Sequence, residues 1–179
     1  MYEDFIKEFD SFLKPFFIRH EKYIKCKKGC SKCCEEGDYP FSVDEFRYLT
    51  KGYISLPNDK KTIVQNNIDE IIKSGQKNYK CPFLIDNECC VYEYRGIICR
   101  TFGLCYFDDE NNYVRLPECV YQNLNYSQYF DPKENLLKIQ DVPQINLRID
   151  KILNSDLAKK HNVQCEEIRS LIDWIKPQK

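Results

Sequence analysis

Four thiols lie within nine residues, in the run Cys26-Lys-Lys-Gly-Cys30-Ser-Lys-Cys33-Cys34, and the whole chain carries 11 cysteines. This density constrains the fold more than any hydrophobic pattern does. Such thiols bind a soft metal, build an iron–sulfur cluster or pair as disulfides. The odd count leaves at least one unpaired, and 179 residues are enough for a hydrophobic core without covalent staples. The start, Met1-Tyr-Glu-Asp-Phe-Ile-Lys-Glu-Phe-Asp10, is acidic and lacks the basic, then apolar, stretch of an export signal. The expected compartment is the cytoplasm, where thiols stay reduced, and metal ligation is their expected use.

Charge excludes some partners. With 27 basic and 28 acidic residues the net charge is −1, which builds no field for nucleic acid or an anionic membrane. No apolar window is long enough to span a bilayer. The expected partner is another protein.

Hydrophobic spacing predicts helices at both ends. Phe5, Phe9, Phe12, Leu13, Phe16 and Phe17 recur at helical period and form a core face, with Pro15 expected to kink or end the segment. Ser42-Val-Asp-Glu45 has the form of a capping box before a helix carrying Phe46 and Leu49. Leu56-Pro-Asn-Asp59 reads as a turn and cap, followed by a helix through Ile63, Val64, Ile68, Ile71 and Ile72 that stops near Gly75. Residues 81–119 are irregular and cysteine-rich, with turn signals at Asp86-Asn87 and Asp108–Asn112 and a short strand at Val114–Leu116. The tail returns to helix, with Ile145, Ile149, Ile152 and Leu153 on one face. Ile168, Leu171, Ile172 and Ile175 lie on another, and Trp174 packs the last helix down.

The expected fold is therefore mainly α, a single small domain whose irregular cysteine-rich loops are organised around a metal centre. Residues 1–130 are read as the cysteine-cluster metal-binding domain with its N-terminal helix, and residues 131–179 as a helical extension.

Cys26, Cys30, Cys33 and Cys34 stand at i, i+4, i+7 and i+8, one face if the segment is helical. Gly29 and the acidic turn downstream predict that the helix ends or bends within the motif. Lys25, Lys27, Lys28 and Lys32 either favour thiolate over thiol or solvate a loop. Adjacent cysteines seldom share one ion, so Cys33 and Cys34 are expected to serve two metals, or one to ligate while the other packs. At least one ligand then comes from the second group, where Cys81, Cys89 and Cys99 are best placed.

The pattern Cys26-x3-Cys30-Ser-x-Cys33-Cys34, then Cys81-Pro-Phe-Leu, then Cys89-x2-Tyr92-Glu-x-Arg95, then Cys99-Arg100-x-Phe102-Gly103 resembles the YkgJ-like cysteine-cluster family. That family is described as a zinc- or iron-chelating domain and is related to the cluster region of flagellin lysine methylases. The resemblance covers roughly residues 20–120. It implies metal or iron–sulfur binding by Cys26, Cys30, Cys33, Cys34, Cys81, Cys89 and Cys99. Gly96 stands where the family usually has proline, and Cys90 where it has a serine-like residue, so no ligand role passes to Cys90. Cys105 and Cys119 fall in the loose end of the pattern, and Cys165 reads as a small core residue of the tail helix.

The leading expectation is a cysteine-ligated iron–sulfur cluster, most simply 4Fe-4S, in a redox, sensing or protein-modification role. The alternative is a structural zinc module presenting a surface to a partner. A third reading, a radical S-adenosylmethionine-type or methylase-associated enzyme, is weakened by the absence of βα alternation and by Lys32 where an aromatic is typical. Arg95 and Arg100 are expected to hold carboxylates in the fold or, as the lesser option, to serve cluster sulfurs or an anion. His20 and His161 are not expected to be ligands.

Overall fold

The structure is a computed structural model describing residues 2–27, 29–163, 165 and 167–176. About 48% of it is helical, and the strands are short. In chain order the elements are α1 (Tyr2–Arg19), α2 (Lys32–Glu35), β1 (Pro40–Ser42), α3 (Val43–Ile54), α4 (Asn58–Ser74), β2 (Leu84–Ile85), β3 (Glu88–Cys89) and α5 (Ile97–Thr101). They continue with β4 (Tyr106–Asp108), β5 (Tyr113–Arg115), β6 (Phe130–Asp131), β7 (Leu136–Leu137), α6 (Ile149–Leu153), α7 (Asp156–Lys160), β8 (Ile168–Ser170) and α8 (Leu171–Ile175). Contacts gather the chain into two compact units. The first holds Glu3–Lys27 with Thr101–Val163, and the second Lys28–Arg100 with Gln164–Lys179.

The first unit is built on α1. Phe5, Ile6, Phe9 and Leu13 are buried at helical spacing, and Phe5 stacks on Phe9 with ring centroids 5.7 Å apart. Pro15 does not end the helix, which runs on to Arg19. Pro15 removes only its own amide donor, while His20 N still closes on Phe16 O at 3.0 Å, so the last turn survives. Phe12 lies outside the buried face, 44% exposed. A second cluster of Tyr23, Cys105, Val120 and Tyr126 is cross-linked by polar bonds. Tyr126 Oη is 3.0 Å from His20 Nδ1 and accepts from Cys105 N at 3.1 Å, and His20 Nε2 reaches Asp141 O at 3.0 Å. Asn112, at φ +54°, turns the β4–β5 hairpin as its position between the strands requires. Within it, buried Asp108 accepts from Arg115 Nε at 2.8 Å, Asn111 Nδ2 at 3.0 Å and Asn146 Nδ2 at 3.1 Å. Those donors hold its carboxyl well below the usual range, Arg115 foremost.

The second unit opens with β1 pairing antiparallel to β8. The capping box forms: Glu45 N donates to Ser42 Oγ at 3.3 Å and Ser42 N to Glu45 Oε2 at 2.9 Å. Pro57, not an acidic side chain, precedes α4, and Asp59 lies inside the helix. Gly75 ends α4 in the left-handed region (φ +64°), its amide closing on Ile71 O. Val64 and Ile68 are buried, whereas Ile63 and Ile72 face solvent, so the apolar stripe is narrower than the spacing suggested. Ile168 belongs to strand β8 rather than to a long tail helix, because it extends the β1 ladder; α8 then starts afresh on Ser170, whose Oγ accepts from Asp173 N. Trp174 does pack this end: its indole donates to Phe41 O at 2.8 Å and its ring stacks on Phe46.

Candidate metal centre

Local chemistry delivers thiols to the second unit from three stretches. After Gly29, which turns at φ +87°, α2 carries Cys33 and Cys34 side by side with sulfurs 3.8 Å apart. Only Lys32–Glu35 is helical, so the motif bends where Gly29 suggested. Cys81 N donates to Cys34 O at 2.8 Å and thereby ties the second stretch to the first. From there the chain enters the β2–β3 hairpin, whose two-residue turn uses Asp86 and Asn87 at φ +49° and +61°. Leu84 pairs with Cys89, and Cys90 N donates to Phe83 O at 2.9 Å. A 3-10 turn at Tyr92–Tyr94 then leads to α5, which carries Cys99. Tyr39 Oη donates to Cys33 O at 3.0 Å.

The sulfurs feel one another. Burial, then repulsion from neighbouring thiols, pushes Cys81 well up and Cys99 up to about 12; burial likewise raises Cys89, and Cys90 to about 11. In the hydrogen-bonded Cys33–Cys34 pair, Cys34 holds the proton and Cys33 is lowered, with the Arg95 guanidinium adding to that effect. Arg95 also lowers Cys89 and Cys99 against the pull of burial. The cation that favours the thiolates of Cys33, Cys89 and Cys99 is therefore an arginine of the second cysteine group. Lys32 pairs instead with Glu35 at 2.6 Å, Lys25 Nζ reaches Asn123 O, and Lys28 lies outside the described residues.

Of the seven cysteines expected to ligate, Cys33, Cys34, Cys81, Cys89 and Cys99 all lie in the second unit, where the Cys33 and Cys34 sulfurs stand 3.8 Å apart. Cys30 lies in the same unit, in the turn before α2. Cys26 belongs to the first unit, where it is exposed and its sulfur accepts from Asn125 Nδ2 at 3.0 Å. Asn125 is fully buried; its Oδ1 accepts from Lys25 N and its Nδ2 also donates to Gly103 O. Nothing in the sequence marks this asparagine. Cys105 is buried beside Tyr126, and Cys119 is buried in the same unit. Cys165 is half-buried in an irregular segment, not in a helix. No disulfide forms among the described residues. His20 and Tyr126 satisfy each other, and His161 pairs with Glu8 at 2.8 Å.

Arg100 donates to Glu93 O at 2.7 Å and Arg95 O at 3.0 Å, so it braces backbone carbonyls. Gly96 has a steric reason: a Cβ there would stand 2.7 Å from Phe41 Cε1 and 2.8 Å from Glu45 Oε1. Proline, usual in the resembled family, would collide with both.

Among the described residues no three histidine, cysteine or carboxylate groups stand where they could share one ion as placed. The donor chemistry nevertheless fits a thiophilic centre: five soft sulfurs, no competing imidazole, and a buried arginine Nε without an acceptor. No helix among those residues is long and apolar enough to cross a membrane. No curated protein and no solved structure matches the chain. One family model does match, over residues 25–166, and so takes in the cysteine motifs and both units: the chain belongs to the CxxCxxCC family, "putative zinc- or iron-chelating domain".

Proposed function

We propose that the chain carries a metal centre held by the thiolates of Cys33, Cys34, Cys81, Cys89 and Cys99, in its leading form an iron–sulfur cluster. The placing of five motif cysteines in one unit, on three stretches of which two are tied by the Cys81 N to Cys34 O bond, supports this reading. Cys26 and Cys30 remain candidate ligands on their motif positions. Binding would replace the protons these buried sulfurs retain and draw the sulfurs together. When bound, a cluster would supply one-electron redox chemistry, suited to electron transfer, sensing or support of a protein-modifying enzyme.

A second reading, a mononuclear zinc module that presents a surface to a protein partner, is favoured by one distance. Cys33 and Cys34 sulfurs stand 3.8 Å apart. A tetrahedron with metal–sulfur bonds of about 2.3 Å has an edge of about 3.8 Å.

Anaerobic purification with iron, zinc and acid-labile sulfide analysis separates the two. Brown protein with iron and sulfide supports the cluster. Colourless protein with one zinc supports the module. Protein that holds neither metal, as isolated or after reconstitution, refutes both.

A further inference from the structure

Among the described residues Arg95 is a cation with no acidic partner. It follows the 3-10 turn that leaves Cys89 and precedes the helix that carries Cys99. Its carbonyl is fixed by Arg100 Nε at 3.0 Å, and its guanidinium lies 3.7 Å from the centre of the Tyr92 ring. Its Nε is buried and donates to no acceptor, and among the described residues no carboxylate pairs with it. An orphaned buried N–H is rare in a native chain and calls for an explanation. The position of Arg95 supplies one, since it stands in the short link between the two motif cysteines Cys89 and Cys99.

Resting on the cysteine-ligated centre proposed above, we propose that Arg95 is its positioning residue, donating Nε–H to a metal-bound thiolate of Cys89 or Cys99. Several thiolates on one centre leave excess negative charge in a half-buried site. A metal-bound sulfur retains lone pairs that accept a hydrogen bond. The Tyr92 stack holds the guanidinium plane, so the fork has a direction as well as a charge, which lysine cannot reproduce. Partners that hydrogen-bond to metal ligands orient them and tune the metal.

The test uses full-length protein stripped of metal and loaded anaerobically with Co2+. Arg95→Gln is expected to weaken Co2+ affinity by about 10- to 100-fold in chelator competition. It is also expected to move the sulfur-to-cobalt charge-transfer band to longer wavelength, because a sulfur relieved of its hydrogen bond gives up electron density more easily. The apo unfolding midpoint should not move. Arg95→Lys keeps the charge without the Nε donor, and should show the band shift with a smaller affinity loss; it carries the test if Arg95→Gln does not fold. Variants with the parent's band overturn the hydrogen bond, as does an affinity loss that merely follows apo stability. Parent protein without any sulfur-to-cobalt absorption overturns the cysteine centre itself, and this inference with it.

Discussion

Cysteines and charged groups in the two units end up in opposite situations. In the first unit, polar side chains close on each other: Asp108 is met by Arg115, Asn111 and Asn146, and His20 by Tyr126 and Asp141 O. Its Cys105 sits in an apolar pocket with burial raising it to about 11. In the second unit, burial and neighbouring thiols raise Cys81 and Cys99, and Arg95, between Cys89 and Cys99, keeps a buried Nε–H without an acceptor. A closed network stabilises itself. An open one is stabilised by whatever replaces its protons, and the contrast makes the second unit the place to look for a ligand.

Removing metal should break the contrast most severely. Amide exchange of the chelated protein is expected to accelerate at residues 81–100, whose regular structure is two short strands, one 3-10 turn and most of a five-residue helix. Residues 104–131 should hold their protection. Equal acceleration in both stretches, or none in either, would defeat this expectation.

Truncating Phe9, 2% exposed in the first unit, to alanine should cost about 3–5 kcal/mol in denaturant unfolding. Metal content per folded molecule should not change; a parallel loss of metal would show that the two functions of the fold are not separable.

Glu45 offers a pH handle on the second unit. Burial raises its carboxyl to about 7 even though Ser42 N and Ile97 N donate to it. The folded chain thus keeps this proton up to about pH 7, whereas the unfolded chain releases it near 4.5. The stabilisation is full below pH 4.5 and is lost as pH rises to 7, by roughly 3 kcal/mol. Glu45→Gln should flatten that slope in unfolding measured across the window; an unchanged slope would remove Glu45 as its source.

The smallest effect belongs to Cys165. Cys165→Ala should leave metal content at the parent level, while Cys99→Ala should lower it, as read by elemental analysis. Equal content in both variants would undo the division between gathered and ungathered thiols.

Local signals in the sequence were reliable where one short segment decides its own conformation. The Ser42–Glu45 capping box, the Gly75 stop, the Asp86-Asn87 turn and the bend at Gly29 all depend on nearby backbone and side-chain geometry. They formed as read. The cysteine motif likewise announced metal chemistry, and the family match agrees with it. Expectations failed where distant chain competes. Ile168 became a strand because β1 was there to pair with it.

By itself the sequence determined the supply of soft ligands, the caps and turns, and the aromatic face of α1, since these follow from residue type and spacing. Only the tertiary structure decided that Asn125 donates to Cys26 and that Cys81 N ties its stretch to Cys34 O. Electrostatics and hydrogen bonding act through a few ångströms of space, and spacing along the chain does not reveal which residues from elsewhere occupy it.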